Sequence, residues 1–140
     1  MVRTFTSEAA FRTFASDFAR SLKAGDVVGL SGPLGAGKTT FVQAAATALL
    51  GGDPVSSPTF TFWHRYPSGD TAAPVDHIDL YRIDDPAEIV ELGLDDAFEG
   101  GSIVFVEWWQ NAGGRLPAPS YEIVIAGKGE DPRTVTVISK

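Results

Sequence analysis

Apolar residues Phe11, Phe14, Ala15, Phe18, Ala19 and Leu22 recur at i, i+3, i+4, i+7, i+8 and i+11, the spacing of one buried helical face. The pattern predicts a helix over residues 7–23, capped by Thr6 or Ser7. Ala24-Gly25-Asp26 ends it and turns the chain into a short apolar strand, Val27–Ser31. A second helix is expected over Lys38–Leu50, stopped by Gly51-Gly52. Residues 53–74 are rich in Pro, Ser, Thr and Gly, broken by an aromatic run, Phe60 to Trp63, that reads as a strand. Another strand is expected over residues 75–81, and a short helix over Pro86–Leu92. Residues 103–106 (Ile103, Val104, Phe105, Val106) are apolar without a break, as in the buried centre of a parallel sheet. Tyr121–Ala126 and Arg133–Ser139 alternate apolar and polar positions around a Gly127-Lys128-Gly129 turn, which predicts a closing antiparallel pair. This order of elements predicts an α/β fold: a phosphate-loop NTPase-like three-layer sandwich around a central mixed, partly parallel sheet.

Between the first strand and the second helix lies Gly32-Pro33-Leu34-Gly35-Ala36-Gly37-Lys38-Thr39, which is GxxxxGK[ST] in its strand-to-helix setting. The setting matters because such a loop works through its backbone. Its N–H groups curl inward on a phosphate, and the helix N-terminus adds its dipole. Gly35, Ala36, Gly37, Lys38, Thr39 and Thr40 are therefore the expected phosphate-binding residues. Lys38 is expected to reach the β- and γ-phosphates, and the Thr39 hydroxyl to ligate Mg²⁺. A glycine-rich turn with no ligand is the plain alternative.

Composition narrows the class. The chain has 140 residues, room for one domain over 1–140, with 44% hydrophobic and 21% charged residues. Its net charge of −7 disfavours unaided binding to nucleic acid. There is no cysteine, so neither disulfides nor thiolate metal sites arise. No signal-type apolar segment or membrane-length run occurs, and a cytoplasmic address is expected.

Three further segments bear on chemistry. Glu107 follows the apolar run directly, where phosphate-loop proteins hold Mg²⁺ with an acidic residue, and an ordinary strand-end carboxylate is the alternative. Asp79 lies in His77-Ile78-Asp79-Leu80-Tyr81-Arg82. His77 and Asp79, two apart on a strand, can face one site, with Arg82 offsetting negative charge. Equally, Asp79 can cap a turn, His77 can fill a half-buried slot, and Arg82 can pair with Asp84 or Asp85. The Ser/Thr/Pro segment 56–61 occupies the place of a nucleotide-sensing switch loop, although surface connections share that composition. Asn111 is the only asparagine and stands in no Asn-Lys-x-Asp run, so guanine reading is not expected and ATP is the favoured nucleotide. Trp108 and Trp109 can wall the site, with one of the two turned to the core.

The segments 35–41, 57–61, 77–82, 91–94 (Glu91-Leu92-Gly93-Leu94) and 106–108 together resemble the bacterial TsaE family, small ATPases of tRNA threonylcarbamoyladenosine synthesis. The phosphate loop is common to many families, but SPTFT followed by HIDLYR and ELGL is specific. The resemblance implies Mg²⁺ at Thr39 and Glu107, and Asp79 and Glu107 as the catalytic carboxylates. It places Arg133 toward the nucleotide base. It implies TsaB-type and TsaD-type partners, with tRNA engaged through that complex and no membrane involved. Pro33 and the Trp109-Gln110 pair depart from the family's usual residues, at positions that hold no expected phosphate or metal ligand. A small-molecule kinase and a non-hydrolysing assembly module are the rival readings. A kinase needs an acceptor site and an arginine-bearing lid, yet only Arg65, Arg82 and Arg115 lie between the loop and the last hairpin.

Overall fold

The computed structural model describes residues 1–52, 62–67 and 73–140. In chain order the elements are β1 (Val2–Phe5), α1 (Glu8–Ala19), β2 (Val27–Ser31), α2 (Lys38–Leu50), β3 (Trp63–Tyr66), β4 (Val75–Asp79), β5 (Ile103–Glu107), β6 (Tyr121–Ala126) and β7 (Arg133–Ser139). Short 3₁₀ helices at Pro86–Leu92, Leu94–Phe98 and Trp109–Ala112 complete them. The seven strands form one sheet in the order β1-β7-β6-β2-β5-β4-β3. Strands β4, β5, β2 and β6 run parallel, and β3, β7 and β1 join antiparallel at the flanks. The sheet is thus mixed and partly parallel, with a layer on each face, as the order of elements predicted.

The pleat sorts side chains between the layers. Val28, Leu30, Phe105, Ile123, Ile125 and Val135 pack with α1 and α2 on one face. Val27, Ile78, Val104 and Val106 pack on the other with Ile89, Leu94, Ala97 and Ala112 of the 3₁₀ layer. Phe41 of α2, wholly buried, is ringed by Phe11, Phe14 and Phe18 of α1 with ring centroids 5.9–6.4 Å away. Such aromatic packing fixes the helix that follows the phosphate loop. Helix α1 starts at Ser7, whose side chain accepts from Ala10 N at 3.2 Å, one of the two caps foreseen.

The structure corrects several boundaries. Strand β1 was not foreseen; its four residues pair with β7, from Val2 opposite Thr136 to Phe5 opposite Arg133. The aromatic strand begins at Trp63; Phe60 lies outside the described residues, as does the whole segment 56–61. Strand β4 ends at Asp79 rather than at residue 81, because the Asp79 side chain accepts from Tyr81 N at 3.0 Å and turns the chain. The helix expected over Pro86–Leu92 is 3₁₀.

Two tryptophans leave the end of β5 in opposite directions. Trp108 adopts a left-handed backbone with φ 57°, the only non-glycine residue to do so among those described. Trp109 turns under the sheet onto Gly29, where a Cβ would sit 2.5 Å from the indole Cδ1. Glycine in the middle of β2 is what admits that ring. Among the described residues no helix is long and apolar enough to cross a membrane.

Candidate functional site

The C-terminal ends of β2, β4 and β5 open on one edge of the sheet, where open α/β folds form their ligand crevice. The loop from Gly32 to Gly37 leaves β2 there and enters α2. At Gly32 (φ 148°) a Cβ would lie 2.3 Å from the Ile125 carbonyl oxygen, so only glycine lets the loop start this close to β6. Gly37 caps α2 in a left-handed conformation and offers no side-chain hydrogen bond, and no acidic residue stands in the first turn. The first-turn N–H groups of α2 are thereby left for an anion.

The first turn of α2 brings Lys38 and Thr39 to the strand ends. Thr39 Oγ1 lies 3.0 Å from both Oε1 and Oε2 of Glu107, donating to that carboxylate. Glu107 is 3% exposed. Lys38 Nζ donates to the carbonyl oxygens of Gly32 and Pro33, each at 2.8 Å, and lies 4.4 Å from the centroid of the Trp108 ring. Burial lowers the Lys38 pKa from its ordinary value, opposed by the charges of Glu107 and Asp79. Asp79 stands opposite Glu107 in the β4–β5 register. It lines the same 280 Å³ cleft with Leu34, Lys38, Thr39, Glu107 and Trp108. Asp79 thus lines this cleft and also caps a turn. Arg82 borders an adjoining cavity of 340 Å³ with Asp79, Tyr81 and Phe62.

A larger cleft of 480 Å³ flanks the loop on its other side, lined by Phe5, Ser7, Phe11, Ala36, Thr40 and Arg133 among others. Arg133 Nε donates to Ala36 O at 2.9 Å, and Nη2 to Gly35 O at 3.4 Å and to Gly129 O at 3.0 Å. Arg133 therefore straps the phosphate loop to the β6–β7 turn while its side chain faces this cleft. The contribution of β1 and the start of α1 escaped the sequence reading. A four-residue edge strand carries too little pattern to be recognised.

Sequence reasoning brought His77 only to the neighbourhood of the site. Here its Nε2 meets Glu107 Oε2 at 2.5 Å, with both side chains buried. The spacing of two between His77 and Asp79 was the available signal. His64, cross-strand from His77, stays below its ordinary pKa through burial first and then the neighbouring His77, against the pull of Asp79. The Tyr66 hydroxyl is pushed up by burial and by the Glu107 charge.

Among the described residues no three His, Cys, Asp or Glu side chains gather to hold a metal. Mg²⁺ needs no such cage: it takes one or two protein oxygens and completes its shell with water and phosphate. The facing oxygens of Thr39 and Glu107, both hard donors beside the phosphate loop, fit that requirement.

A family model described as "Threonylcarbamoyl adenosine biosynthesis protein TsaE" matches residues 5–135. This chain belongs to the TsaE family. It is 43% identical over 114 residues to the Bacillus subtilis tRNA threonylcarbamoyladenosine biosynthesis protein TsaE, covering 81% of this chain and 70% of that protein. The TsaE protein of Rickettsia bellii is 33% identical over 135 residues, 96% of this chain and 92% of its own. Among solved structures, Bacillus subtilis YdiB superposes with a TM-score of 0.80 at 33% identity, covering 99% of this chain and 84% of that one. That likeness extends to the α/β architecture and the mixed sheet. The TsaE family is named for the synthesis of threonylcarbamoyladenosine in tRNA.

Proposed function

We propose that this TsaE-family chain is an Mg²⁺-dependent ATPase subunit that serves threonylcarbamoyladenosine modification of tRNA. The observation that carries the reading is the apposition of Thr39 and Glu107 at the mouth of the phosphate loop, with Lys38 beside them. Thr39 and Glu107 would hold Mg²⁺, Glu107 directly or through a water. When bound, the ion supplies charge neutralisation between phosphate oxygens. The first-turn N–H groups of α2 and the Lys38 ammonium bind and orient the phosphate chain. Asp79, facing the same cleft, orients water by accepting its hydrogen bond. Trp108 shields the Lys38 side from bulk solvent.

Hydrolysis rather than transfer to an acceptor is favoured by the sequence, in which no arginine-bearing lid segment is recognisable. The net charge of −7 favours tRNA contact through TsaB-type and TsaD-type partners over contact by this chain alone. The test is incubation of the purified protein with γ-labelled ATP, with and without Mg²⁺, candidate acceptors and the two partner proteins. Free phosphate released only with Mg²⁺ is the expected result. Label on an acceptor would make the chain a kinase, and no release even with the partners would leave only a binding module.

A further inference from the structure

Among the described residues Glu107 has two neighbours that can donate to it, and only one of them is read from the phosphate-loop pattern. Thr39 is the first. The second is His77, which reaches Glu107 diagonally across the parallel β4–β5 pair; its register partner is Phe105, while Glu107 stands opposite Asp79. A carboxylate only accepts hydrogen bonds, so the 2.5 Å contact assigns the hydrogen to His77 Nε2. The imidazole has little freedom to leave. It is 7% exposed, and on its far side stands the ring of His64, 6.3 Å away between centroids. His64 in turn stacks on Tyr66 at 6.5 Å with planes 9° apart. A row of rings on β3 and β4 thus backs the imidazole that grips Oε2.

Lys38 does not do this work: its ammonium donates to the Gly32 and Pro33 carbonyls rather than to Glu107. Without a second donor, the Glu107 side chain would pivot about its contact with Thr39.

We infer that His77 is a positioning residue for the metal carboxylate: by donating to Oε2 it fixes the Glu107 side chain in the orientation that faces Thr39, ready for a divalent cation. The inference rests on the Mg²⁺ reading above and adds to it a residue outside the phosphate loop. It requires no change in the charge of His77, only its N–H. Partners of this kind, which orient a ligand without touching the metal, typically govern metal affinity by tenfold to a hundredfold.

The experiment measures the affinity of a fluorescent ADP analogue across a Mg²⁺ titration and in EDTA, together with the melting temperature in EDTA. Three variants separate the roles. His77→Phe keeps a ring and removes the donor. His77→Gln places an amide N–H about where Nε2 stands. His77→Asn keeps an amide too short to reach Glu107. The expected result is a Mg²⁺ requirement raised about tenfold to a hundredfold in His77→Phe and His77→Asn, restored in His77→Gln, with affinity in EDTA unchanged in all three. A purely structural histidine would instead lower the melting temperature and weaken binding equally with and without Mg²⁺. Should His77→Phe fail to fold, the Asn and Gln pair decides: equal Mg²⁺ requirements in those two would overturn the role. If the parent protein itself binds nucleotide without regard to Mg²⁺, the proposed function falls and this role with it. A Mg²⁺-dependent parent matched by His77→Phe removes this role alone.

Discussion

Asp76 and Glu107 are both buried carboxylates on adjacent parallel strands, yet they face opposite sides of the sheet and live in opposite circumstances. Asp76, with no exposed surface, lies on the 3₁₀ side. It accepts from Trp63 Nε1 at 2.8 Å, from Arg65 Nε at 2.9 Å, from Arg65 Nη2 at 3.0 Å and from Ser102 Oγ at 2.6 Å. A guanidinium and two neutral donors leave it nothing to gain from a ligand. Glu107 faces the helices, and among the described residues its hydrogen-bonding partners are the Thr39 hydroxyl and the His77 ring. Among the described residues no lysine or arginine bonds to it, although Lys38 stands close enough to feel its charge. A buried charge is costly unless paired. The fold gives Asp76 a guanidinium partner and gives Glu107 a hydroxyl and an imidazole beside the phosphate loop, where under the proposed function a divalent cation would complete it. The difference between the two carboxylates is therefore in their partners, not in their burial.

The sharpest way to break this comparison is to remove each carboxylate in turn. Glu107→Ala should keep the fold and nucleotide binding yet lose ATP hydrolysis by about a hundredfold to a thousandfold, on the order of 3–4 kcal/mol of barrier. Its melting temperature in EDTA should fall by less than that of Asp76→Ala, because the His77 N–H loses its acceptor while a buried charge is deleted with it. Asp76→Ala should do the reverse. It removes the buried acceptor shared by Trp63, Arg65 and Ser102, and should cost about 3 kcal/mol of stability by denaturant unfolding. A stable Asp76→Ala together with an unstable Glu107→Ala would invert the assignment.

That contrast shows what sequence can and cannot carry. The central strands and both helices were legible because their apolar spacing is regular and the phosphate loop lies between them. Glu107 was legible because it ends an unbroken apolar run. The partners of each carboxylate were not, since they come from residues 11 to 68 positions away, through register that only the folded sheet sets. The same holds for Arg133. The family resemblance turned it toward the base, but its bonds to Gly35 and Ala36 arise because β7 lies two strands from β2. Strand β1 was too short to announce itself. The turn of Trp108 into a left-handed backbone has no signature in a Glu-Trp-Trp run.

Asp79 tests whether the helix-side cleft uses more than one carboxylate. Its Oδ1 caps the turn at Tyr81 N, a bond that asparagine can keep and alanine cannot. Asp79→Asn should therefore retain the melting temperature while slowing hydrolysis by about tenfold or more, as expected for loss of a preorganised charged group. Asp79→Ala should lose the rate and also about 1 kcal/mol of stability. Near-parental turnover in Asp79→Asn, measured as phosphate release under saturating ATP and Mg²⁺, would leave the residue as a turn cap and nothing more.

The smallest expected effect sharpens the comparison from the structural side. Ser102 is buried and donates to Asp76 Oδ2, with the carbonyl of Ala97 also within 3.2 Å. Ser102→Ala removes one of four donors to Asp76 and leaves the Arg65 pair in place. The loss should be about 1 kcal/mol, or about 4 °C in melting temperature for a chain of this length. Asp76 keeps a cation throughout, so no group in the 3₁₀ layer gains an appetite for metal. The melting temperature of Ser102→Ala should accordingly respond to Mg²⁺ and nucleotide by the same increment as the parent's. In Glu107→Ala that increment should shrink. Mg²⁺ that restored Ser102→Ala to the parent's melting temperature would mean that Asp76 too can take a cation, and the two carboxylates would no longer differ in kind.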